Sequence, residues 1–218
     1  MRSILVLAGA SGAGKTSVAA EILSKNPEYK LIRSATTRAP RGDAHDGEYL
    51  YYTEEEFKDL ISRGELLEYM KYGDNFYGTP HSEIELAFSE GKTPLLILDL
   101  QGVKSLREKS FDFSVFVFYI YEDINVIEKR LYEREFKAGT SIEAFEGFLK
   151  RKQANIRDYL LLPSLADKFD AFIKNTELPL AVDSVLTRHR ALSLGEEKNA
   201  EENAKIAEEL ALSAKPKL

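Results

Sequence analysis

The chain contains no cysteine. That excludes a disulfide framework and any thiolate metal site, and it fits a reducing compartment. No apolar run approaches the roughly 20 residues that span a bilayer, and Met1-Arg2 leads directly into the first apolar run. Neither a membrane span nor a signal peptide is expected, and the predicted location is cytoplasmic. A basic surplus is missing too. The formal net charge is −6, which argues against nucleic acid as a partner but leaves room for one local cationic pocket that holds a nucleotide. His45, His81 and His189 are scattered and suggest no shared site. There are no internal repeats. What is present is an ordinary globular composition, 44% apolar and 30% charged in 218 residues, long enough to bury a core as one domain or two small ones.

Apolar runs of strand length alternate with helical patterns. Residues 4–8 read as a buried strand, and residues 15–25 as a helix stopped by Asn26-Pro27. The Thr, Tyr and Ile content of residues 30–53 favours short strands. Thr53 and Glu56 form a capping box for a helix that runs to Arg63-Gly64. Residues 66–70 and 75–79 suggest a hairpin, and residues 82–90 a helix ending at Gly91. Residues 94–99 form an apolar run with Asp99 at its C-terminal end, the end at which parallel α/β sheets bind ligands. Residues 115–120 read as a third buried strand, 123–135 and 141–160 as helices, 169–175 as a last short strand and 180–192 as an apolar-striped helix. From Gly195 onward, Ala, Glu, Lys and Leu predominate, which predicts a solvated helix or a frayed tail. The alternation predicts an α/β fold, a parallel sheet with helices on both faces.

Between the first strand and the first helix runs Gly9-Ala10-Ser11-Gly12-Ala13-Gly14-Lys15-Thr16, with Ser17 next. G-x-x-x-x-G-K-[ST] between strand and helix is the pattern of a phosphate-binding loop. Its glycines let backbone N–H groups turn inward around a phosphate chain, and the helix N-terminus adds donors and a positive dipole end. Lys15 is expected on the β/γ-phosphates and Thr16 on Mg²⁺. A second constellation follows. Ser34-Ala35-Thr36-Thr37-Arg38-Ala39-Pro40-Arg41 holds two arginines on a proline-stiffened link, and arginine forks match phosphate oxygens. Then come Glu48-Tyr49, Leu67-Glu68-Tyr69, Tyr77-Gly78-Thr79 and Leu98-Asp99-Leu100-Gln101-Gly102.

In this order and spacing the chain resembles the guanylate kinase family over residues 4–190. That family shows the phosphate loop, S-x-T-T-R-x-P-R, G-x-x-Y, a Glu before an aromatic, Y-G-[ST], D-x-Q-G, R-L-x-x-R and a late Asn after an apolar strand. The resemblance implies a P-loop NTPase-type sheet flanked by helices, with an inserted β-rich GMP-binding region and a helical lid. The implied boundaries are 1–32, 84–125 and 155–192 for the core, 33–83 for the GMP-binding region, 126–154 for the lid and 193–218 for a charged C-terminal helix or tail. It implies ATP and Mg²⁺ as cofactors, GMP as the other small-molecule substrate, and γ-phosphoryl transfer from ATP to GMP. Ser34, Arg38, Arg41, Tyr49 and Tyr77 would hold the GMP phosphate, and Glu68 and Thr79 would read guanine. Asp99 would sit between the nucleotides and Asn175 near adenine. Arg130 and Arg134, four apart on one helix face, match the start of the lid.

Two departures stand out. Ile97 occupies a position where the family usually has an acid. In Phe148-Leu149-Lys150-Arg151-Lys152-Gln153-Ala154-Asn155, set against R-L-x-x-A-Q-A-E, Phe148 falls where a lid arginine is expected; Arg151, about one turn on, is the candidate replacement. Two other functions remain open from sequence: a catalytically impaired binding module of the same fold, and a P-loop kinase acting on another phosphorylated acceptor.

Overall fold

Five consecutive apolar residues, Ile4 to Ala8, are fully buried. They make strand β1 (Ser3–Ala8), third of five in a parallel sheet. In this computed structural model the described residues are 2–40, 42, 46–137 and 139–215. The sheet order is β2 (Tyr29–Leu31), β7 (Thr93–Ile97), β1, β8 (Ser114–Tyr121), β9 (Ala171–Lys174). β2 runs parallel to β7 and β8 parallel to β9. Strands buried on both faces read as continuous apolar runs, which is why the sequence pattern was so plain here. The chain divides into two compact units, Met1–Val6 with Ile22–Val115 and Leu7–Glu21 with Phe116–Leu218.

The first unit carries a second sheet of four strands, ordered β4 (Tyr49–Tyr51), β3 (Ser34–Thr36), β6 (Asn75–Pro80), β5 (Leu66–Tyr72). β5 and β6 form the expected antiparallel hairpin, its tight turn made by Gly73 at φ 60° and Asp74. Helix α2 (Glu54–Ser62) covers this sheet. Thr53 Oγ1 accepts from the Glu56 N–H at 3.2 Å while the Glu56 carboxylate accepts from the Thr53 N–H at 2.7 Å, the predicted capping box. Phe57, Leu60, Ala35 and Leu66 form the core beneath, with Phe57 stacked on Phe76 at 5.4 Å. Helix α3 (His81–Ser89) precedes β7, and α4 (Leu100–Arg107) follows it and packs on β5. The expected strand over 94–99 ends earlier, at Ile97, because the Asp99 carboxylate accepts from the Gly102 N–H at 2.9 Å and so caps α4.

The second unit holds the phosphate loop and the first residues of α1 (Lys15–Lys25), then α5 (Ile124–Glu135), α6 (Ile142–Leu161), a 3₁₀ run over Leu162–Lys168, α7 (Leu178–Ser193) and α8 (Ala200–Ser213). Tyr119, Phe169 and Phe172 pack edge or tilted at 5.1–5.3 Å, the centre of its aromatic core. Over Ala200–Ser213 the C-terminal segment is neither solvated all round nor frayed. α8 packs on Leu162–Lys168 and on α6, burying Ala207, Leu210 and Ala211, and Asn203 Nδ2 donates to the Phe169 carbonyl at 3.1 Å. The buried stripe is mostly alanine, which composition alone reads as exposed helix former rather than as core.

Candidate functional site

Two constellations are present, one in each unit. In the second unit the strand-to-helix loop has its three glycines at positive φ: Gly9 at 148°, Gly12 at 90° and Gly14 at 93°. Space adds to the backbone demand at two of them. A Cβ on Gly9 would collide with the Ile120 carbonyl, and one on Gly14 with the Asn175 carboxamide. Four of the loop's carbonyls are held by side chains. Lys15 Nζ donates to Gly9 O at 2.6 Å and Ala10 O at 3.0 Å, Asn155 Nδ2 to Ser11 O at 2.8 Å, and Asn175 Nδ2 to Ala13 O at 2.8 Å. Thr16 and Ser17 are exposed in the first turn of α1, which has no acidic residue there to oppose a bound anion.

Arginines surround this loop. Arg130 donates to the Asn175 carbonyl at 3.0 Å, and Arg134 to Ser11 Oγ at 3.2 Å. Arg134 also pairs with Glu135 at 2.9 Å, and Arg151 meets the same carboxylate oxygen at 3.2 Å. So Arg134, Arg151 and Ser11 form one cluster, although Arg151 comes from a different helix. Phe148 takes no part in it. Its ring meets Tyr132 at 5.8 Å and Phe136 at 6.1 Å, joining α6 to α5 through three aromatics. An arginine at 148 would replace this half-buried ring contact between α5 and α6.

In the first unit Ser34, Tyr49, Glu68, Tyr77, Asp99 and Ile97 line one cavity of about 240 Å³. Glu68 is 2% exposed and accepts from Thr79 Oγ1 at 2.7 Å. Burial pushes its carboxyl up to about 7; the neighbouring Asp99 charge adds to the rise, and the Thr79 hydrogen bond and Lys109 hold it back. Gly102 of the D-x-Q-G run gives this carboxylate its space, since a Cβ there would lie 3.3 Å from Glu68 Oε2. Thr79 stands behind Glu68 and is itself only 1% exposed. Tyr49 and Tyr77 meet edge to face at 6.5 Å, and the Arg38 guanidinium lies 5.0 Å over the Tyr49 ring. Arg38 is also 3.6 Å from the Asp46 carboxylate, which in turn accepts from the Tyr51 hydroxyl at 2.5 Å. Arg41 lies outside the described residues.

A family model described as guanylate kinase matches residues 1–187. The chain belongs to the guanylate kinase family. It is 34% identical over 183 residues to the guanylate kinase of Desulfitobacterium hafniense (strain Y51), covering 84% of this chain and 86% of that one. It is 32% identical over 208 residues to that of Oceanobacillus iheyensis, covering 94% and 95%. The crystal structure of guanylate kinase from Anaplasma phagocytophilum superposes with a TM-score of 0.60 at 25% identity, covering 90% of this chain and 89% of that one. The family pattern had singled out the loop, the cavity side chains, Arg130, Arg134 and Arg151. Three partners carried no such signal: Asn155, Glu135 and Asp46. Each holds a predicted residue in place through a contact that spacing along the chain does not reveal.

Proposed function

We propose that this guanylate kinase family member transfers the γ-phosphoryl group of ATP to the phosphate of GMP, giving ADP and GDP. The observation that carries the choice of acceptor is the buried Glu68 carboxylate on the cavity wall, with Thr79 bonded to it. A carboxylate accepts from both the N1–H and the exocyclic amine of guanine, and adenine offers no such donor pair on that edge. Ser34, Tyr49 and Tyr77 supply hydroxyls to the acceptor phosphate, and Arg38 and Arg41 its counter-charge. Asp99 lines the same cavity while capping α4.

On the donor side, residues 9–17 cradle the ATP phosphates, and Lys15 exchanges the Gly9 and Ala10 carbonyls for the β/γ oxygens. Asn175 acts mainly on the loop, through Ala13, with the adenine expected nearby. Thr16 offers the exposed hydroxyl oxygen that suits Mg²⁺, a hard ion that keeps water and phosphate oxygens as its other ligands. When bound, Mg²⁺ neutralises charge on the β/γ oxygens. Phosphoryl transfer then asks for positioning and charge stabilisation rather than covalent help, and Arg130, Arg134 and Arg151 provide charge beside the loop. No helix among the described residues is long and apolar enough to cross a membrane.

The deciding experiment is a coupled assay of ADP release with MgATP and each nucleoside monophosphate. Turnover should require GMP, with AMP, CMP and UMP giving none. Binding of GMP without turnover would make the chain a binding module, and turnover with a different phosphorylated acceptor would overturn the guanine assignment.

A further inference from the structure

We propose that Asn155 is a positioning residue that fixes the phosphate loop at Ser11 and sets the register of α6 on that loop, so that Arg151 stands beside it. The effect on turnover rests on the kinase reading above; the effect on the loop does not. Asn155 is 1% exposed. Its Oδ1 accepts from the Ser11 N–H at 2.8 Å, and its Nδ2 donates to the Ser11 carbonyl at 2.8 Å. These two groups belong to successive peptide units, Ala10–Ser11 and Ser11–Gly12, so one side chain fixes both. That matters because Gly12, at φ 90°, gives the second peptide freedom to flip. A flip would aim the Ser11 carbonyl, a repulsive group, at a bound phosphate. A carboxamide is suited to hold both, because it offers an acceptor and a donor side by side, whereas a carboxylate only accepts.

The same residue ties the loop to the arginines. Arg151 lies four residues before Asn155 on α6, hence on the same face. Arg151 meets Glu135, Glu135 meets Arg134, and Arg134 donates to Ser11 Oγ. The contacts close into a ring that begins and ends at Ser11. With Phe148 committed to the aromatic contact between α5 and α6, the position of Arg151 depends on how α6 is seated, and Asn155 seats it.

The test compares wild type with Asn155→Asp, which keeps the volume and the acceptor but turns a charged oxygen toward the Ser11 carbonyl, and with Asn155→Ser, which removes both contacts. MgATP and GMP are titrated separately by calorimetry, and KM and kcat are measured for each substrate. MgATP affinity should fall roughly tenfold or more in either variant, kcat should fall with it, and the GMP dissociation constant should stay within about twofold. The kcat losses of Asn155→Asp and Arg151→Ala should be less than additive. Unchanged MgATP affinity in a folded variant would overturn the loop assignment, as would equal losses for both nucleotides with a lowered thermal midpoint, the mark of a merely structural role. Fully additive losses would overturn the link to Arg151. Should wild type bind MgATP yet leave GMP unphosphorylated, the kinase reading fails while the calorimetric comparison still decides the role of Asn155.

Discussion

At the scale of the residue, Glu68 is a buried carboxyl kept at a cost in stability. Its carboxyl, raised to about 7 by burial, holds a proton in the folded chain between about pH 4.5 and 7 that the unfolded chain has lost. Folding stability therefore falls as pH rises across that window, by up to roughly 3 kcal/mol at about 1.4 kcal/mol per pKa unit. In the proposed reading, by contrast, guanine is received by the ionised form. The KM for GMP should thus drop as pH rises from 6 to 8, with an inflection near 7. Glu68→Gln should raise that KM at least about tenfold, flatten its pH profile and raise the melting temperature at pH 8 by several degrees. Steady-state kinetics and thermal melts across pH read both effects, and a Glu68→Gln protein that is less stable at pH 8 would contradict the burial cost.

At the scale of the element, α5 and α6 act as a pair joined by aromatics on one side and by Glu135 on the other. Arg151→Ala should lower turnover by on the order of 10³-fold if Arg151 carries transition-state charge, while GMP affinity stays unchanged. Intact turnover would remove Arg151 from the catalytic set. α8 is a second instance of an element whose role lies in its packing. Leu210 is 7% exposed on the face that meets Leu162–Lys168 and α6. Leu210→Asp would bury an unpaired carboxylate there and should lower stability by about 3 kcal/mol or more, measured by urea denaturation. A change within about 0.5 kcal/mol would mean that α8 is not docked in solution.

At the scale of the whole molecule, acid stability should be set partly by His189. It is 6% exposed on α7, edge-on to Phe116 at 5.3 Å, and burial pushes its pKa down to about 4. The unfolded chain takes up the proton near pH 6.5, and the folded chain only near 4. Stability is therefore lost as pH falls through that window, by up to roughly 3 kcal/mol. This runs opposite to the Glu68 contribution, so the two are separable by substitution. Replacing His189 with Leu should remove the loss between pH 6.5 and 4.5 in chemical denaturation, and an unaltered slope would show that the histidine charges freely in the folded chain.

What depends on local order along the chain is legible in its residues alone. Apolar runs between helical patterns give the parallel sheet, Thr53 and Glu56 give a helix start, and residues 9–17 give a phosphate loop, because each is a short-range backbone requirement written in adjacent residue types. Order along the chain also singles out Ser34, Tyr49, Glu68, Tyr77 and Asp99 of the cavity lining, but not Met70 or Tyr72. Tertiary structure decided what depends on contacts between distant segments. It converted Asp99 from a strand end into a helix cap, docked a C-terminal helix that composition reads as solvated, and seated Phe148 among Tyr132 and Phe136. It raised the Glu68 carboxyl by closing the protein around it. Asn155, which meets Ser11 across 144 residues of chain, belongs wholly to this second class. One amide facing two backbone groups is a relation in space, and neither segment carries a trace of it alone.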